Sequence, residues 1–250
     1  NGQIIAFVGI LIAFAATCFL TSVGSKFLPK DAGRAFAHDG AKSAGKPRGA
    51  GIIFILVFVA ASFLFAQINV EIAIYLVLVA IEMFTGFFDD AADKPWGELK
   101  KGILDFIVAV IVAVTFLHFN SNVVTLAFTG TQLAIPPIVF GILTVILVWV
   151  SINVTNCSDG VDGLSGTLTM ITLMSLYVID YVTKNKSGFD YLILVFVVCI
   201  LGYLWYNATP SKLLMGDAGS RAMGIFISIA ALKTGMPFIY IPVAIVLIAD

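Results

Sequence analysis

Charge is what this sequence has least of. Only 12% of its 250 residues are Asp, Glu, Lys or Arg, and two are histidine. Soluble domains carry about 25% charged residues, so the composition excludes a water-facing globular surface. The formal net charge of −1 excludes the basic field that a nucleic-acid partner would require. The three cysteines, at 18, 157 and 199, fit neither a zinc knuckle nor a disulfide framework. They lie in or beside apolar segments and read as small buried hydrophobes. No GKS or GKT closes a phosphate loop, and "GAKSAGK" has the wrong spacing, which argues against an ATP-driven machine. No repeat or linker composition divides the chain.

Apolar residues fill the space that charge leaves. They make up 60% of the chain, with 21 phenylalanines and a mean hydropathy of +1.05. A helix needs about 20 residues to cross a bilayer. Segments of that kind run over 3–22, 50–67, 70–88, 102–120, 134–153, 163–182, 190–207 and 220–234, and a ninth begins near Phe238. The runs are continuous, without the ten-residue alternation of a barrel strand. The first run lacks the basic region and cleavage site of a signal peptide, so it reads as a membrane helix. The expected fold is therefore all-α: a polytopic transmembrane helix bundle with about nine visible spans, in one integral-membrane domain over residues 1–250. The ninth span is still apolar at Asp250, so a further loop and helix are expected beyond it.

The basic residues orient this bundle. Loops 23–49, 89–101 and 208–221 hold 11 of the 14, and they alternate with loops holding only Lys184, Lys186 and Lys233. The positive-inside rule puts the first set in the cytoplasm and the N-terminus outside. His38 and His118 then face opposite sides and cannot share a zinc ion.

Four polar clusters fall on that same cytoplasmic side: "HDGAKSAGKPRGAG" from His38, "GFFDDAADKPWGELKKG" from Gly86, "SINVTNCSDGVDGLSG" from Ser151 and "NATPSKLLMGDAGSRAMG" from Asn207. Asp89 and Asp90 are adjacent at a helix end and would repel one another without a divalent metal or Lys94, Lys100 or Lys101. Asp159 and Asp162 are three apart; if 159–166 enters the sixth helix, they share one face of its first turn. The rival is an N-cap by Ser158 or Asp159, which accounts for one aspartate and leaves Asn156 unexplained. Asp217 stands between glycines just before the eighth span, as a phosphate or Mg²⁺ site at a helix N-terminus would require. Several carboxylates beside a basic loop suit an anionic substrate with a divalent cation, and phosphoryl transfer is catalysed largely by positioning and charge neutralisation. A transporter would instead place its ionisable groups near the bilayer midplane. Glu71, Glu82 and Asp105 lie in or near spans and read as interfacial groups or a satisfied internal pair.

Three of these stretches, "GFFDDAADK", "NCSDGVDGLSG" and "NATPSKLLMGDAGSRAMG", resemble in order the motifs of the polyprenyl-phosphate N-acetylhexosamine-1-phosphate transferases. "HDGAKSAGKPRGAG" is similar to that family's first cytoplasmic loop, and Asp93 stands where the family carries a basic residue. The resemblance implies ten membrane helices in the bacterial cytoplasmic membrane, with the active site on the cytoplasmic side. It also implies Mg²⁺-dependent transfer of a phospho-sugar from a UDP-linked amino sugar donor to a polyprenyl phosphate acceptor, with release of UMP. Phospho-MurNAc-pentapeptide is the group expected to move, to undecaprenyl phosphate, in cell-wall precursor synthesis; UDP-N-acetylglucosamine is the alternative donor. Carried over residue by residue, Asp217 is the metal ligand, and Asp89 and Asp90 form the catalytic pair. Asp159 joins them and Asn156 helps organise the centre. Asp162 faces the nucleoside, Asn207 supports the substrate site, and Lys42 or Lys46 binds donor phosphate or uridine. Homodimerisation is a further implication of the resemblance.

Overall fold

The computed structural model describes residues 2–33, 43–183 and 187–249. Eight long helices carry the architecture: α1 (Gly2–Gly24), α2 (Gly51–Phe65), α3 (Val70–Asp90), α4 (Glu98–Phe119), α5 (Pro137–Cys157), α6 (Leu164–Val182), α7 (Asp190–Asn207) and α8 (Gly216–Lys233). Six of them, α1 and α3 to α7, are long and apolar enough to cross a membrane. Helix α2 has 15 residues, about 22 Å at 1.5 Å per residue. Helix α8 contains Asp217, Arg221 and Lys233. Between α4 and α5 a short antiparallel hairpin pairs β1 (Val123–Thr125) with β2 (Gln132–Ala134).

Local chemistry sets the helix ends. Asn69 caps α3 by accepting the Ile72 N–H at 2.8 Å, which satisfies one of the orphan donors of a helix start. Pro137 opens α5 at the position where a missing N–H costs nothing. The ninth span expected from Phe238 is instead a 3₁₀ turn at Pro237–Ile239 followed by α9 (Tyr240–Val243) and α10 (Ile245–Ala249). Pro237 and Pro242 have no N–H to continue a ladder.

Helix α8 is the axis of the bundle. Every residue from Gly216 to Leu232 is buried, and α2, α3, α5 and α6 pack around it. A helix carrying three charges can be the most buried one because lipid, not water, surrounds the bundle, so polar groups turn inward. Helix α1 does the reverse and exposes Ile4, Ile5, Phe7 and Phe19. Part of the phenylalanine surplus is internal: the Phe58, Phe196 and Phe226 rings meet at 4.4–5.0 Å across α2, α7 and α8. Of the cysteines only Cys199 is buried; Cys18 is half-buried and Cys157 is exposed at the end of α5. A helix end beside a polar turn has no neighbour to cover it, so the buried reading fails for Cys157.

The two ends of the bundle differ. At one, Lys233 donates to Glu71 and Asn120, and Tyr75 and Asn120 also donate to Glu71. Glu71 is thus an internally paired group that ties α3, the end of α4 and α8. The other end gathers the loops before α2, between α3 and α4, between α5 and α6, and between α7 and α8.

Candidate active site at one end of the bundle

The N-terminus of α8 is the centre of this site. Its first N–H groups have no partner within the helix, and Asp90, the last residue of α3, supplies one. The Asp90 carboxylate accepts the Asp217 N–H at 3.1 Å on Oδ1 and the Ala218 N–H at 3.1 Å on Oδ2. A carboxylate at a helix N-terminus also meets the positive end of the dipole. Two glycines make this approach possible. Gly86, one turn earlier on α3, lies against the Asp217 carbonyl with no room for a Cβ, and Gly216 (φ +68°) faces the Asp90 carboxylate just as closely.

Two cations bind the carboxylates together. Arg48 donates through Nε to Asp90 (2.9 Å) and through Nη1 to Asp31 (3.2 Å), and its Nη2 lies 3.6 Å from Asp217. Burial works against the guanidinium charge, but Asp90, Asp217 and Asp31 outweigh it and hold the Arg48 pKa above its usual value. Burial likewise raises the Asp31 pKa, yet hydrogen bonds from Ser43 and Arg48, the Arg48 charge and the Gly33 N–H leave it below the ordinary carboxylate range. Lys101 sits 3.6 Å from Asp89 and 3.8 Å from Asp217. Asp89 also accepts the Trp96 N–H. Of the three lysines that could have offset the Asp89–Asp90 pair, Lys101 is the one in place. Lys100 lies over the Trp96 ring at 3.3 Å, and Lys94 is exposed.

The remaining loops are stitched to one another. Lys46 donates to Ser211 Oγ at 2.8 Å, and the Ser211 N–H donates to Asp162 Oδ2 at 3.0 Å. Buried Asn207 uses both ends of its amide, accepting the Gly163 N–H and donating to the Leu213 carbonyl, each at 2.9 Å. The segment Pro47–Gly51 pairs with Leu214 and Met215 through three backbone hydrogen bonds. Lys46, Asp162 and Asn207 therefore belong to one connected rim, while Lys42 and His38 lie outside the described residues.

The stretch from Ser151 departs from the expected geometry. Helix α5 continues to Cys157, residues 158–163 form a turn, and α6 starts only at Leu164. Asp159 and Asp162 thus precede the helix and do not share its face. The N-cap rival fails too, because Gly163 (φ +77°) occupies the cap without a side-chain bond and Ser158 donates to Thr155 and Ser165. Gly160 and Gly163 break the helix where a continuous one would have aligned the aspartates. Asp159 is half-buried on this turn, its N–H donating to the Asn156 carbonyl at 3.2 Å, and Asn156 closes the last turn of α5. The ion pairs that join Asp89, Asp90 and Asp217 run through Arg48 and Lys101; Asp159 stands on the neighbouring loop.

The donor set suits a hard divalent cation. Among the described residues, the ion pairs of Asp31, Asp89, Asp90 and Asp217 are with Arg48 and Lys101, so negative charge is left over. The Asp217 oxygens lie beyond hydrogen-bond distance of either cation. Among the described residues no three His, Cys, Asp or Glu side chains form a ready metal cage. Mg²⁺ needs none, since it is commonly held by one or two carboxylates, waters and substrate phosphates.

Some residues escaped the sequence reading. Arg48 counted only as one charge of a basic loop, yet its planar fork reaches three carboxylates; its place two residues before Ala50 and the start of α2 was the available signal. Asp31 carried no motif. Arg221 falls at the end of the expected 208–221 loop, whereas it lies buried in α8 with Glu82 and Asp105.

Fold and site together define an integral membrane protein with a cluster of carboxylates and cations at one end of a helix bundle. Residues 72–235 match the glycosyl transferase family 4 profile, and the chain belongs to that family. It is 42% identical over 232 residues to the phospho-N-acetylmuramoyl-pentapeptide-transferase of Treponema pallidum (strain Nichols), covering 86% of this chain and 64% of that protein. Proteins of the same name from Fervidobacterium nodosum (30% identity; 76% of this chain, 60% of that protein) and Rubrobacter xylanophilus (28%; 90% and 74%) are also similar. The chain thus spans a little under two thirds of the length of the Treponema relative.

Proposed function

We propose that this protein transfers phospho-MurNAc-pentapeptide from its UDP-linked donor to undecaprenyl phosphate, with Mg²⁺ held by Asp217. One observation carries this reading: Asp89, Asp90 and Asp217 gather with Arg48 and Lys101 at a single end of the bundle, in a chain 42% identical to a transferase of that name. The predominance of basic residues at that end supports a site on the cytoplasmic face of the bacterial inner membrane. The same reading includes a homodimer.

In this reaction an oxygen of the acceptor phosphate attacks the donor phosphorus next to the sugar. The bond from that phosphorus to the bridging oxygen breaks, and UMP leaves with it. The bound cation would neutralise charge on the donor diphosphate. Asp89, held by Trp96 and Lys101, takes the proton from the acceptor phosphate. Asp90 keeps the α8 N-terminus in place so that Asp217 points into the cleft. Arg48, long in its contact with Asp217, turns part of its fork to a donor phosphate. Lys46, with Lys42, holds the donor end, Asp162 keeps its second oxygen for the nucleoside, and Asn156, Asp159 and Asn207 shape the adjoining loops.

The test is UMP release by the purified protein with polyprenyl phosphate and Mg²⁺, offered UDP-MurNAc-pentapeptide and UDP-N-acetylglucosamine in parallel. The expected result is release with the first donor and a lipid product that carries the peptide. Release with the second donor alone would reassign the substrate. No release from either by folded protein would overturn the reading.

A further inference from the structure

Three charged side chains that the proposed reaction does not use are buried one level beneath the site: Glu82 of α3, Asp105 of α4 and Arg221 of α8 are 0%, 3% and 1% exposed. Arg221 Nη2 bonds to Asp105 Oδ1 and lies 3.2 Å from Glu82 Oε2. The same three helices carry the site: Asp89 and Asp90 on α3, Lys101 on α4, Asp217 on α8. Asp105 follows Lys101 by four residues and Arg221 follows Asp217 by four, so each pair is about 6 Å apart along its helix and shares a face.

The triad is a poor device for stability. Arg221 Nε and Nη1 and Glu82 Oε1 are buried without a hydrogen-bond partner among the described residues, and apolar side chains of similar volume are often at least as stabilising as buried ion groups. Its value lies in what it joins. Helix α3 is seated on α8 through Gly86 and the Asp90 cap. Helix α4 packs on α3 and α5, with sparse packing on α8. At the site end two ion contacts join α4 to α8, the loose Lys101–Asp217 pair at 3.8 Å in the site and the close Asp105–Arg221 bond one turn below. At the far end Lys233 of α8 donates to Asn120, the C-cap of α4.

We propose that Asp105 and Arg221 are positioning residues that set the register of α4 on α8 and so hold Lys101 between Asp89 and Asp217, with Glu82 balancing Arg221 from the α3 side. This rests on the transferase reading only for its kinetic consequence. The placement of Lys101 is testable without substrate.

The experiment compares Asp105→Leu with Glu82→Met, and Asp105→Asn with both. Asp105→Leu releases the site end of α4 but leaves Arg221 paired with Glu82. Glu82→Met leaves the α4–α8 bond in place, and Asp105→Asn retains an oxygen acceptor. Two readouts are taken on protein in detergent: acetylation of Lys101 in the substrate-free protein, followed by mass spectrometry, and kcat and KM for UMP release. Asp105→Leu is expected to raise Lys101 labelling at least about threefold and lower kcat at least about tenfold, with donor KM within about threefold. Asp105→Asn should recover much of both effects, and Glu82→Met should leave labelling at the wild-type level. Equal labelling in wild type and Asp105→Leu, or an equal rise in Asp105→Leu and Glu82→Met, would overturn the proposal. Absence of UMP release from wild type would count against the transferase reading alone, because the labelling contrast still decides the placement of Lys101.

Discussion

Gly86→Ala places one methyl group where α3 meets the start of α8. Its Cβ would fall on the Asp217 carbonyl and 2.6 Å from the Ala218 nitrogen, whereas ordinary contact begins at 3.4 Å. Both obstacles are backbone, so the helices must part by about an ångström in an interior packed like a crystal. Asp90 lies one turn along the same helix and moves with it. Its two 3.1 Å bonds to α8 then lengthen beyond hydrogen-bond range. Overpacking of this kind costs about 1–3 kcal/mol, and each lost bond to a charged group costs about 1.5–3 kcal/mol. These contributions overlap, so we expect a net loss of about 3–5 kcal/mol. An ångström of misplacement at Asp217 should lower kcat about 100-fold. Thermal unfolding in detergent and UMP release measure the two effects. A Gly86→Ala protein with wild-type thermal midpoint and wild-type kcat would refute the claim that Asp90 holds the α8 N-terminus by close helix contact.

Asp217→Asn should cut turnover at least about 100-fold and abolish its dependence on Mg²⁺, read from UMP release across a metal titration, while the thermal midpoint stays within a few degrees. Asn207→Leu leaves the Gly163 N–H and the Leu213 carbonyl unpaired, and at about 1–3 kcal/mol per buried group it should lower the thermal midpoint and speed proteolysis of the 158–163 and 208–215 loops. The Asp31 pKa is depressed on folding, so the stability it contributes is complete above its unfolded value of about 4 and is lost as pH falls through the lower folded value. Asp31→Asn should therefore destabilise the protein at about pH 7 and make no difference at the acid end of that window, which a thermal-shift series against pH would show.

The sequence made the bundle legible because lipid imposes a simple rule: long apolar runs become helices, and basic loops alternate sides. Helices α1 to α7 lie close to the expected spans for that reason. Helix ends were harder, since they depend on partners distant in sequence. Helix α8 starts at Gly216 rather than 220 because Asp90 caps it from α3, and no local pattern records that. The same limit applies to the site. Asp89, Asp90 and Asp217 stood out as carboxylates in a chain that has few. Lys101 was legible only as one of three lysines able to offset the Asp89–Asp90 pair, and Arg48 looked like an ordinary basic-loop residue until the fold set both between those aspartates. The alignment expected of Asp159 and Asp162 assumed a helix through Gly160 and Gly163, and the glycines made a turn instead. Arg221, Glu82 and Asp105 are separated by up to 139 positions, so only packing could bring them together.

The central claim is that this cleft moves a phosphorus together with its sugar, and the fate of that atom tests it most directly. The donor is UDP-MurNAc-pentapeptide with ³²P in the phosphate next to the sugar, incubated with the purified protein, polyprenyl phosphate and Mg²⁺. The account predicts that the label passes into the lipid fraction, that UMP leaves unlabelled, and that Asp217→Asn stops both. Label recovered in free UDP, with the sugar alone on the lipid, would contradict it.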